Sequence, residues 1–174
     1  MNVEIEAKLK VESLEVIRQR LSELSAEFIS DRIEQDWYFD DENVAFRTSD
    51  KALRLRCLTV GEVQKVILTY KGPKMADEYK KRVEIELEVS CFETAEKILS
   101  QLGYNKAIVV KKCRQLWKFR SCEVALDDVE GLGFYVEIEG PRSEIIHEVQ
   151  KKLGLAEKDH ICDSYADLIC KLRQ

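Results

Sequence analysis

Charged and apolar residues alternate along several segments of the chain, and this pattern constrains the fold more than any other feature. The first ten residues, MNVEIEAKLK, place Glu4, Glu6 and Lys8 on one face of a predicted strand and apolar residues on the other. The same period of two recurs in ALRLR, KRVEIELE, KKCR and YVEIE. Each of these strands therefore has one face suited to an apolar core and one face that needs water, ions or a charged ligand.

The periodicities predict eight strands in two groups, with helices between and after them. The predicted strands cover residues 2–10, 32–40, 52–60, 63–71, 79–90, 106–119, 122–128 and 133–139. A first helix is predicted at about 13–27, a second opens at a Ser90/Glu93 capping box and ends at Gly103, a third runs from Pro141 to Gly154, and Asp163 caps a short last helix. This is an α+β fold dominated by an antiparallel sheet of meander-like pairs.

The helices indicate which way the charged strand faces point. A sheet commonly buries its apolar face and exposes its charged face to water. Here each helix has one apolar stripe and needs apolar sheet surface to cover, which favours a closed eight-stranded barrel with helices outside and charges inside. Such an interior cannot be dry, so we expect it to hold water, ions or a highly charged ligand. A polyphosphate with a divalent metal satisfies charges of both signs.

Composition narrows the class of protein further. The 33 acidic residues exceed the 28 basic ones, which argues against nucleic-acid binding. No long apolar segment or secretion signal occurs, so we expect a soluble, cytoplasmic protein that does not bind membranes. The six cysteines form no CxxC pair and only two histidines occur, which predicts reduced, mostly buried thiols and no zinc site. We expect residues 1–174 to form one domain.

The segment EIEAK resembles the ExExK signature of the CYTH superfamily, or triphosphate tunnel metalloenzymes, which includes class IV adenylyl cyclases, thiamine triphosphatases and inorganic triphosphatases. The segments QDWYFD, LRLR, TYKGP, KRVEIELE, KKCR, ALDDVEGLG and YVEIEG follow in the family's order. The ending HICDSYADLI is most similar to the class IV adenylyl cyclase group. The resemblance implies an eight-stranded antiparallel tunnel that binds Mg²⁺ or Mn²⁺ and a triphosphate, namely ATP, inorganic triphosphate or thiamine triphosphate.

The resemblance also implies roles for individual residues. Glu4, Glu6 and Glu137 look like metal ligands, with Glu86 and Glu139 as further contributors. The basic residues that look like phosphate ligands are Lys8, Arg54, Arg56, Lys71, Arg82, Lys112 and Arg114. Asp127 matches an acidic position near the reacting end, and the general base is Lys8, Asp127 or a hydroxyl activated by the metal. Each of these residues could instead be a salt-bridged part of the wall.

Two further residues have open interpretations. Trp37 is either a stacking platform for a ligand ring or a packing residue. Lys74 lies in the segment GPKMADEYK, which either folds over the tunnel mouth or is an ordinary connecting loop.

The function expected from this resemblance is a metal-dependent adenylyl cyclase that converts ATP to cyclic AMP and pyrophosphate. A triphosphatase is the first alternative, because both reactions depend on positioning and charge neutralisation of the same phosphates. A non-catalytic nucleotide- or polyphosphate-binding protein and a β-sandwich adaptor with charged outer faces are the others. A homodimer is compatible with the sequence.

Overall fold

The computed structural model describes residues 2–75 and 79–173, and the eight strands found there close into an antiparallel barrel. The strands are β1 (Asn2–Lys10), β2 (Glu27–Asp40), β3 (Ala52–Val60), β4 (Val63–Lys71), β5 (Lys80–Val89), β6 (Asn105–Phe119), β7 (Cys122–Val129) and β8 (Gly133–Glu139). Their order around the barrel is β1, β5, β4, β3, β2, β6, β7 and β8. The predicted eight-stranded antiparallel barrel is therefore confirmed.

The barrel consists of two meanders joined by three non-local pairings. Strands β2 to β5 form one meander and β6 to β8 form the other, as the short turns predict. β2 pairs with β6, and β1 closes the barrel between β5 and β8. Glu6 consequently lies opposite Lys80 on one side and opposite Glu139 on the other.

Five helices within the described residues pack outside the barrel. They are α1 (Glu15–Glu23), α2 (Ala45–Thr48), α3 (Phe92–Gln101), α4 (Ser143–Lys152) and α5 (Tyr165–Leu172). None of the helices in the described part of the chain has the length and apolar composition needed to cross a lipid bilayer.

The apolar core lies between the barrel and the helices, in three clusters of buried side chains. The largest includes Leu9, Leu21, Val124, Val136, Ile138, Ile146 and Val149, and so joins α1 and α4 to β1, β7 and β8. A second joins Leu55 of β3 to Leu99 of α3, and a third joins Val110 and Val129 to Ala166 of α5. Burying apolar surface at the outer wall leaves the inner wall to the charged residues.

The first helix and the strand after it differ from their predicted bounds. The helix ends at Glu23 because Ser25 adopts a left-handed conformation, with φ 56°, and the chain turns directly into β2. Strand β2 starts at Glu27 rather than at residue 32. The apolar stripe of the predicted helix continues through Leu24, so the sequence pattern did not indicate this turn.

Three helix starts differ from the sequence analysis. The short helix α2 was not predicted, and the Asp40 carboxylate accepts the backbone N–H groups of Phe46 and Arg47 at 3.0 and 3.1 Å. The Ser90/Glu93 capping box is wrong, because Cys91 is the N-cap residue of α3 and makes no side-chain cap bond. Ser164, not Asp163, caps α5 in a capping box with Asp167.

The cysteines are free, but the expectation that most are buried is wrong. Only Cys122 is buried, whereas Cys113 and Cys162 are exposed. Cys113 is exposed because it alternates with Lys112 and Arg114, which line the interior, and therefore faces outward.

Candidate active site

The inner wall of the barrel surrounds a cavity of about 180 Å³ with a predominantly charged lining. Eight cationic side chains line it, namely Lys8, Arg54, Arg56, Lys71, Lys80, Arg82, Lys112 and Arg114. Seven carboxylates face them, namely Glu4, Glu6, Asp36, Glu84, Glu86, Glu137 and Glu139. Every residue of the predicted site is in this lining except Asp127.

Lys8 lies on β1 and is held from several directions. Its Nζ donates to the backbone oxygen of Asp163 at 2.9 Å, and lies 3.3 Å from a carboxylate oxygen of Glu137 and 3.9 Å from one of Glu6. The side chain is almost fully buried. Burial, and next the positive charge of Lys80, lowers the pKa of Lys8 below its ordinary value despite the two carboxylates.

Arg54 and Arg82 combine deep burial with unused hydrogen-bonding capacity. Arg54 donates to the hydroxyl of Thr69 at 3.0 Å and to Glu86 at 3.2 Å. Arg82 donates to the backbone oxygen of Asp50 at 3.0 Å. The Nε atom of each is buried without a hydrogen-bond partner among the described residues. A buried guanidinium with an unused N–H is suited to an anionic ligand in the cavity.

Arg56, Lys112 and Arg114 belong to a compact charge network in the wall. Arg56 binds Asp36 through two hydrogen bonds of 2.6 and 2.8 Å. Lys112 lies 3.2 Å from Glu34, a fully buried residue of β2 that also pairs with Arg56. The cationic neighbours outweigh the effect of burial and hold the pKa of Asp36 at about 2. These carboxylates therefore stay ionised at neutral pH.

Asp127 lies behind Arg114, not at the surface of the cavity. It is fully buried, and Arg114 donates to its two oxygens at 2.6 Å each. The hydroxyl of Tyr165 donates to the same carboxylate at 2.8 Å. Asp127 thus orients Arg114, whose other contact is Glu137 on the cavity side.

Lys71 and Lys80 extend the basic lining along β4 and β5. Lys71 pairs with Glu84, and Lys80 donates to Glu6 at 2.5 Å. Burial, followed by repulsion from Arg54, lowers the pKa of Lys71 to about 8. Lys71 is therefore close to losing its charge under mildly alkaline conditions.

The five predicted metal ligands fall into two groups. Glu6, Glu86 and Glu137 form ion pairs with lining cations. Glu4 and Glu139 form none within the described part of the chain. Burial and then repulsion by Glu84 and Glu139 raise the pKa of Glu4 to about 8, and burial and then Glu6 raise that of Glu139 to about 7. Carboxyl groups at this end of the lining therefore repel one another when ionised, and a bound cation would favour their ionised form.

The donor set at this acidic end fits a hard divalent cation. It offers only carboxylate oxygens, the ligands that Mg²⁺ and Mn²⁺ prefer. No three His, Cys, Asp or Glu side chains converge as a preformed metal centre within residues 2–75 and 79–173. A preformed cage is not needed, because Mg²⁺ at phosphate-binding sites is usually held by one or two carboxylates together with the phosphates. Glu4 and Glu139 are the side chains here with free capacity for that role.

The segment before α5 closes over one side of the cavity. The backbone N–H of Ile161 donates to the oxygen of Lys8 at 2.8 Å, which attaches the segment to β1. Ser164 and Tyr165 then line the cavity. The Tyr165 ring lies 4.3 Å from the Nζ of Lys8 and 5.1 Å from that of Lys112, distances at which cation–π attraction operates.

Several lining residues are missing from the sequence-based site. Lys80 continues the alternation of Arg82 and Glu84, and Asp36 alternates with outward residues in RIEQDWYFD, as does Glu34, which lies buried in the wall behind the lining. The period of two therefore indicates all three residues. Tyr165 could be found only from the tertiary structure, because its helix reaches the barrel from the end of the described chain.

The two residues with open interpretations lie outside the cavity lining. Trp37 packs against Phe92 of α3 with ring centroids 4.4 Å apart, which supports the packing interpretation. Lys74 pairs with Asp50 at 2.9 Å at the edge of the barrel. Residues 76–78 of its segment lie outside the described residues.

Comparisons with known proteins agree with this architecture. The family model of the CYTH domain matches residues 2–165 of this chain. A Methanocaldococcus jannaschii protein named "Putative adenylate cyclase MJ0240" is 32% identical over 175 residues, 95% of this chain and 98% of its own. The solved structure of PH1819 from Pyrococcus horikoshii OT3 is 30% identical, with a TM-score of 0.87 over 98% of this chain and 99% of its own.

A more distant structure shares the fold alone. It is a Hippeastrum protein, HpAC1, which is 16% identical, with a TM-score of 0.70 over 97% of this chain and 95% of its own. That protein is described as a putative adenylyl cyclase that reveals a dominant triphosphatase activity.

Proposed function

Because the chain belongs to the CYTH domain family, we propose that it is a divalent-metal-dependent enzyme that converts ATP, bound by its phosphates inside the barrel, to cyclic AMP and pyrophosphate. The observation that carries this proposal is the lining itself, in which eight cationic side chains converge on one cavity and two buried arginines keep an unused N–H. The name of the Methanocaldococcus jannaschii relative favours the cyclase among the reactions of the family.

The charge balance of the cavity supports a requirement for metal. When all seven carboxylates are ionised, as they would be with divalent cations bound, they nearly match the eight cationic side chains, so the lining itself then has little net positive charge to offset a triphosphate. A triphosphate adds several negative charges to a space from which much of the water is excluded, and burying them without compensation is costly. Divalent cations held by Glu4, Glu139 and the neighbouring carboxylates would restore the balance. Pure phosphate binding would need far fewer acidic residues.

In the proposed cyclase reaction, the cationic residues of the cavity bind the phosphates and neutralise their charge. In the cyclase reaction the 3'-oxygen of the ribose bonds to the α-phosphorus, the bond from that phosphorus to pyrophosphate breaks, and a base takes the hydroxyl proton. Arg54, Lys71 and Arg82 hold the phosphates in line and neutralise charge on the leaving pyrophosphate. A divalent cation, when bound, supplies further neutralisation at the phosphate oxygens.

Lys8 is the better placed of the two predicted catalytic residues. It lines the cavity, and its lowered pKa makes the neutral amine more accessible as a proton acceptor. Asp127 has hydrogen bonds from Arg114 and Tyr165 and does not line the cavity. We therefore assign Asp127 the positioning of Arg114.

Hydrolysis of a triphosphate is the second candidate. The cationic side chains that line the cavity would contact the phosphates, and the same side chains can stabilise attack by water on the terminal phosphorus. In that case the nucleoside is not required, and inorganic triphosphate is turned over as well as ATP.

Product analysis tests the proposal and separates the candidates. Purified protein is incubated with ATP and Mg²⁺ or Mn²⁺, and cyclic AMP with pyrophosphate is resolved from ADP with phosphate. We expect cyclic AMP and pyrophosphate. ADP and phosphate alone would replace the cyclase by a triphosphatase, and no turnover of ATP, GTP, thiamine triphosphate or inorganic triphosphate would reject both enzymes in favour of a binding protein.

A pair of variants ties the activity to the carboxylates of the cavity. Glu6→Gln keeps the side-chain volume but removes a charge next to Lys80 and Lys8, and we expect it to lower kcat/KM by about 100-fold or more. Glu88→Gln is the control, because Glu88 forms an exposed ion pair with Lys65 outside the cavity. Equal activity in the two variants would show that the metal assignment on β1 is wrong.

A further inference from the structure

A row of three residues crosses the inner wall of the barrel from β3 to β5. Arg54 lies directly opposite Thr69 of β4, and Thr69 lies directly opposite Glu86 of β5. Residues paired in this way project their side chains to the same face of the sheet, which here is the interior. The two outer residues of the row line the charged cavity, whereas Thr69 is fully buried beneath them and does not line it.

The hydroxyl of Thr69 joins the two outer side chains of this row. Its oxygen accepts a hydrogen bond from Nη2 of Arg54 at 3.0 Å, and its proton is donated to Oε1 of Glu86 at 2.8 Å. Nη2 of Arg54 also donates to the same Oε1 at 3.2 Å, which closes a triangle of hydrogen bonds. A guanidinium only donates and an ionised carboxylate only accepts, so the direction of every bond in the triangle is fixed.

Arg54 and Glu86 each keep one group that the triangle does not use. Nε of Arg54 is buried without a hydrogen-bond partner among the described residues. Oε2 of Glu86 makes no hydrogen bond or ion pair within residues 2–75 and 79–173, and the side chain is 48% exposed. A phosphate oxygen suits the free N–H, and a divalent cation suits the free carboxylate oxygen. Because Arg54 and Glu86 are in contact, a phosphate and a cation bound to them would be neighbours.

The next row along the same three strands shows what the hydroxyl contributes. The outer residues of a row lie on strands about 10 Å apart, so contact between them depends on the central side chain. Ile67, which cannot form a side-chain hydrogen bond, is central in the row of Arg56 and Glu88. The outer residues of that row bind elsewhere, Arg56 to Asp36 and Glu88 to Lys65. Of the two rows, the one with a central hydroxyl joins a base to a carboxylate.

We propose that Thr69 is a positioning residue that couples the binding of a divalent cation at Glu86 to the binding of phosphate at Arg54. This inference rests on the proposed function and concerns the same cavity. The hydroxyl holds both side chains in place before either ligand binds, so ligand binding does not have to order them. Two ligands that favour the same arrangement of the residues between them raise each other's affinity by the same factor.

Removing the hydroxyl at nearly constant shape tests the proposal. Thr69→Val replaces the hydroxyl by a methyl group, whereas Thr69→Ser keeps it. Thr59→Val is the matched control, because Thr59 lies on β3 an odd number of residues from Arg54 and therefore faces outward. The dissociation constant for tripolyphosphate is measured by calorimetry, once with Mg²⁺ and once with EDTA. Urea denaturation without ligand records the stability of each variant.

The deciding quantity is the coupling ratio, which is the dissociation constant in EDTA divided by that in Mg²⁺. Binding of Mg²⁺ to tripolyphosphate in solution is the same for every variant and cancels in the comparison. We expect Thr69→Val to lower the coupling ratio about tenfold, because hydrogen bonds to two charged groups are lost, and Thr69→Ser and Thr59→Val to keep the wild-type ratio. A wild-type ratio in Thr69→Val would overturn the proposal even if its stability falls, since a purely structural hydroxyl predicts that result.

A second variant keeps the proposal testable if Thr69→Val does not fold. Glu86→Gln keeps an oxygen that accepts from Thr69 but loses the charge that attracts a cation. We expect a lowered coupling ratio with no loss of affinity in EDTA, and a wild-type ratio would overturn the proposal. Wild-type protein that binds tripolyphosphate equally in EDTA and in Mg²⁺ would also overturn it, while leaving the cavity as a phosphate site. No binding of tripolyphosphate by wild type in either condition would reject the triphosphate site on which the proposed function also depends.

Discussion

Single residues of the charged cavity differ in how readily they can exchange a protein partner for phosphate. Arg56 and Arg114 each bind a deeply buried carboxylate through two hydrogen bonds, and breaking such a pair leaves an uncompensated charge. Arg82 differs because it keeps an unpartnered N–H, and Lys71 differs because, although it contacts both oxygens of Glu84, its pKa is lowered to about 8. We infer that Arg56 and Arg114 mainly shape the wall and that Arg82 and Lys71 respond to the ligand.

The lowered pKa of Lys71 predicts a pH dependence of phosphate binding. Phosphate attracts the charged ammonium and not the neutral amine, so affinity should fall as pH rises through about 8. Lys71→Arg keeps its charge throughout this range and should lack the fall. The measurement is the ratio of wild-type to variant affinity for tripolyphosphate at pH 7, 8 and 9, in which the titration of the ligand cancels. A ratio that stays constant from pH 7 to pH 9 would contradict a phosphate contact by a Lys71 of lowered pKa.

At the scale of elements, α5 and the segment before it complete the site. Tyr165 connects the helix to Asp127 by a hydrogen bond and covers Lys8 and Lys112 with its ring. The helix has a capping box formed by Ser164 and Asp167, which fixes its start next to the cavity. Helix α5 thus helps to orient charged residues that lie on the barrel strands.

Two substitutions of Tyr165 separate its contributions. Tyr165→Phe removes the hydrogen bond to an ionised carboxylate and should lower the free energy of unfolding by about 1.5–3 kcal/mol, while the ring stays over Lys8. Tyr165→Ala also removes a buried ring and should cost about 3–5 kcal/mol. Urea denaturation measures both, with tripolyphosphate affinity as the second readout. We expect only the alanine variant to lose affinity, and equal affinity losses in the two variants would contradict a role for the ring.

Elements with strict alternation could be predicted from the sequence to the residue. The bounds of β3, β4 and β8 agree with prediction, because a strand that faces charge on one side and a helix-covered core on the other needs an unbroken period of two. The turn at Ser25 and the four-residue α2 could not be predicted this way. A left-handed residue and a short helix capped by Asp40 depend on contacts that periodicity does not contain.

At the scale of the whole molecule, closure of the barrel decides which charges meet. The inward direction of Glu4, Glu6 and Lys8 could be predicted from the alternation together with the helix stripes. The partners could not, because Glu34 and Asp36 reach Arg56 only through the register of β2 on β3, and β1 meets Lys80 and Glu139 only because it lies between β5 and β8. The bulge at Ala107 of β6 has no counterpart in the sequence pattern.

Joint binding of metal and triphosphate tests the account most directly. The near balance of charge in the cavity predicts that Mg²⁺ and tripolyphosphate together raise the melting temperature far more than either alone, by an amount equivalent to about 2.7 kcal/mol when free ligand reaches about 100 times its dissociation constant. Arg82→Gln should lose most of this stabilisation. Arg120→Gln, which changes an exposed ion pair with Glu148, should keep it. No joint stabilisation of the wild type, or equal stabilisation in both variants, would contradict the assignment of the cavity as a metal–triphosphate site.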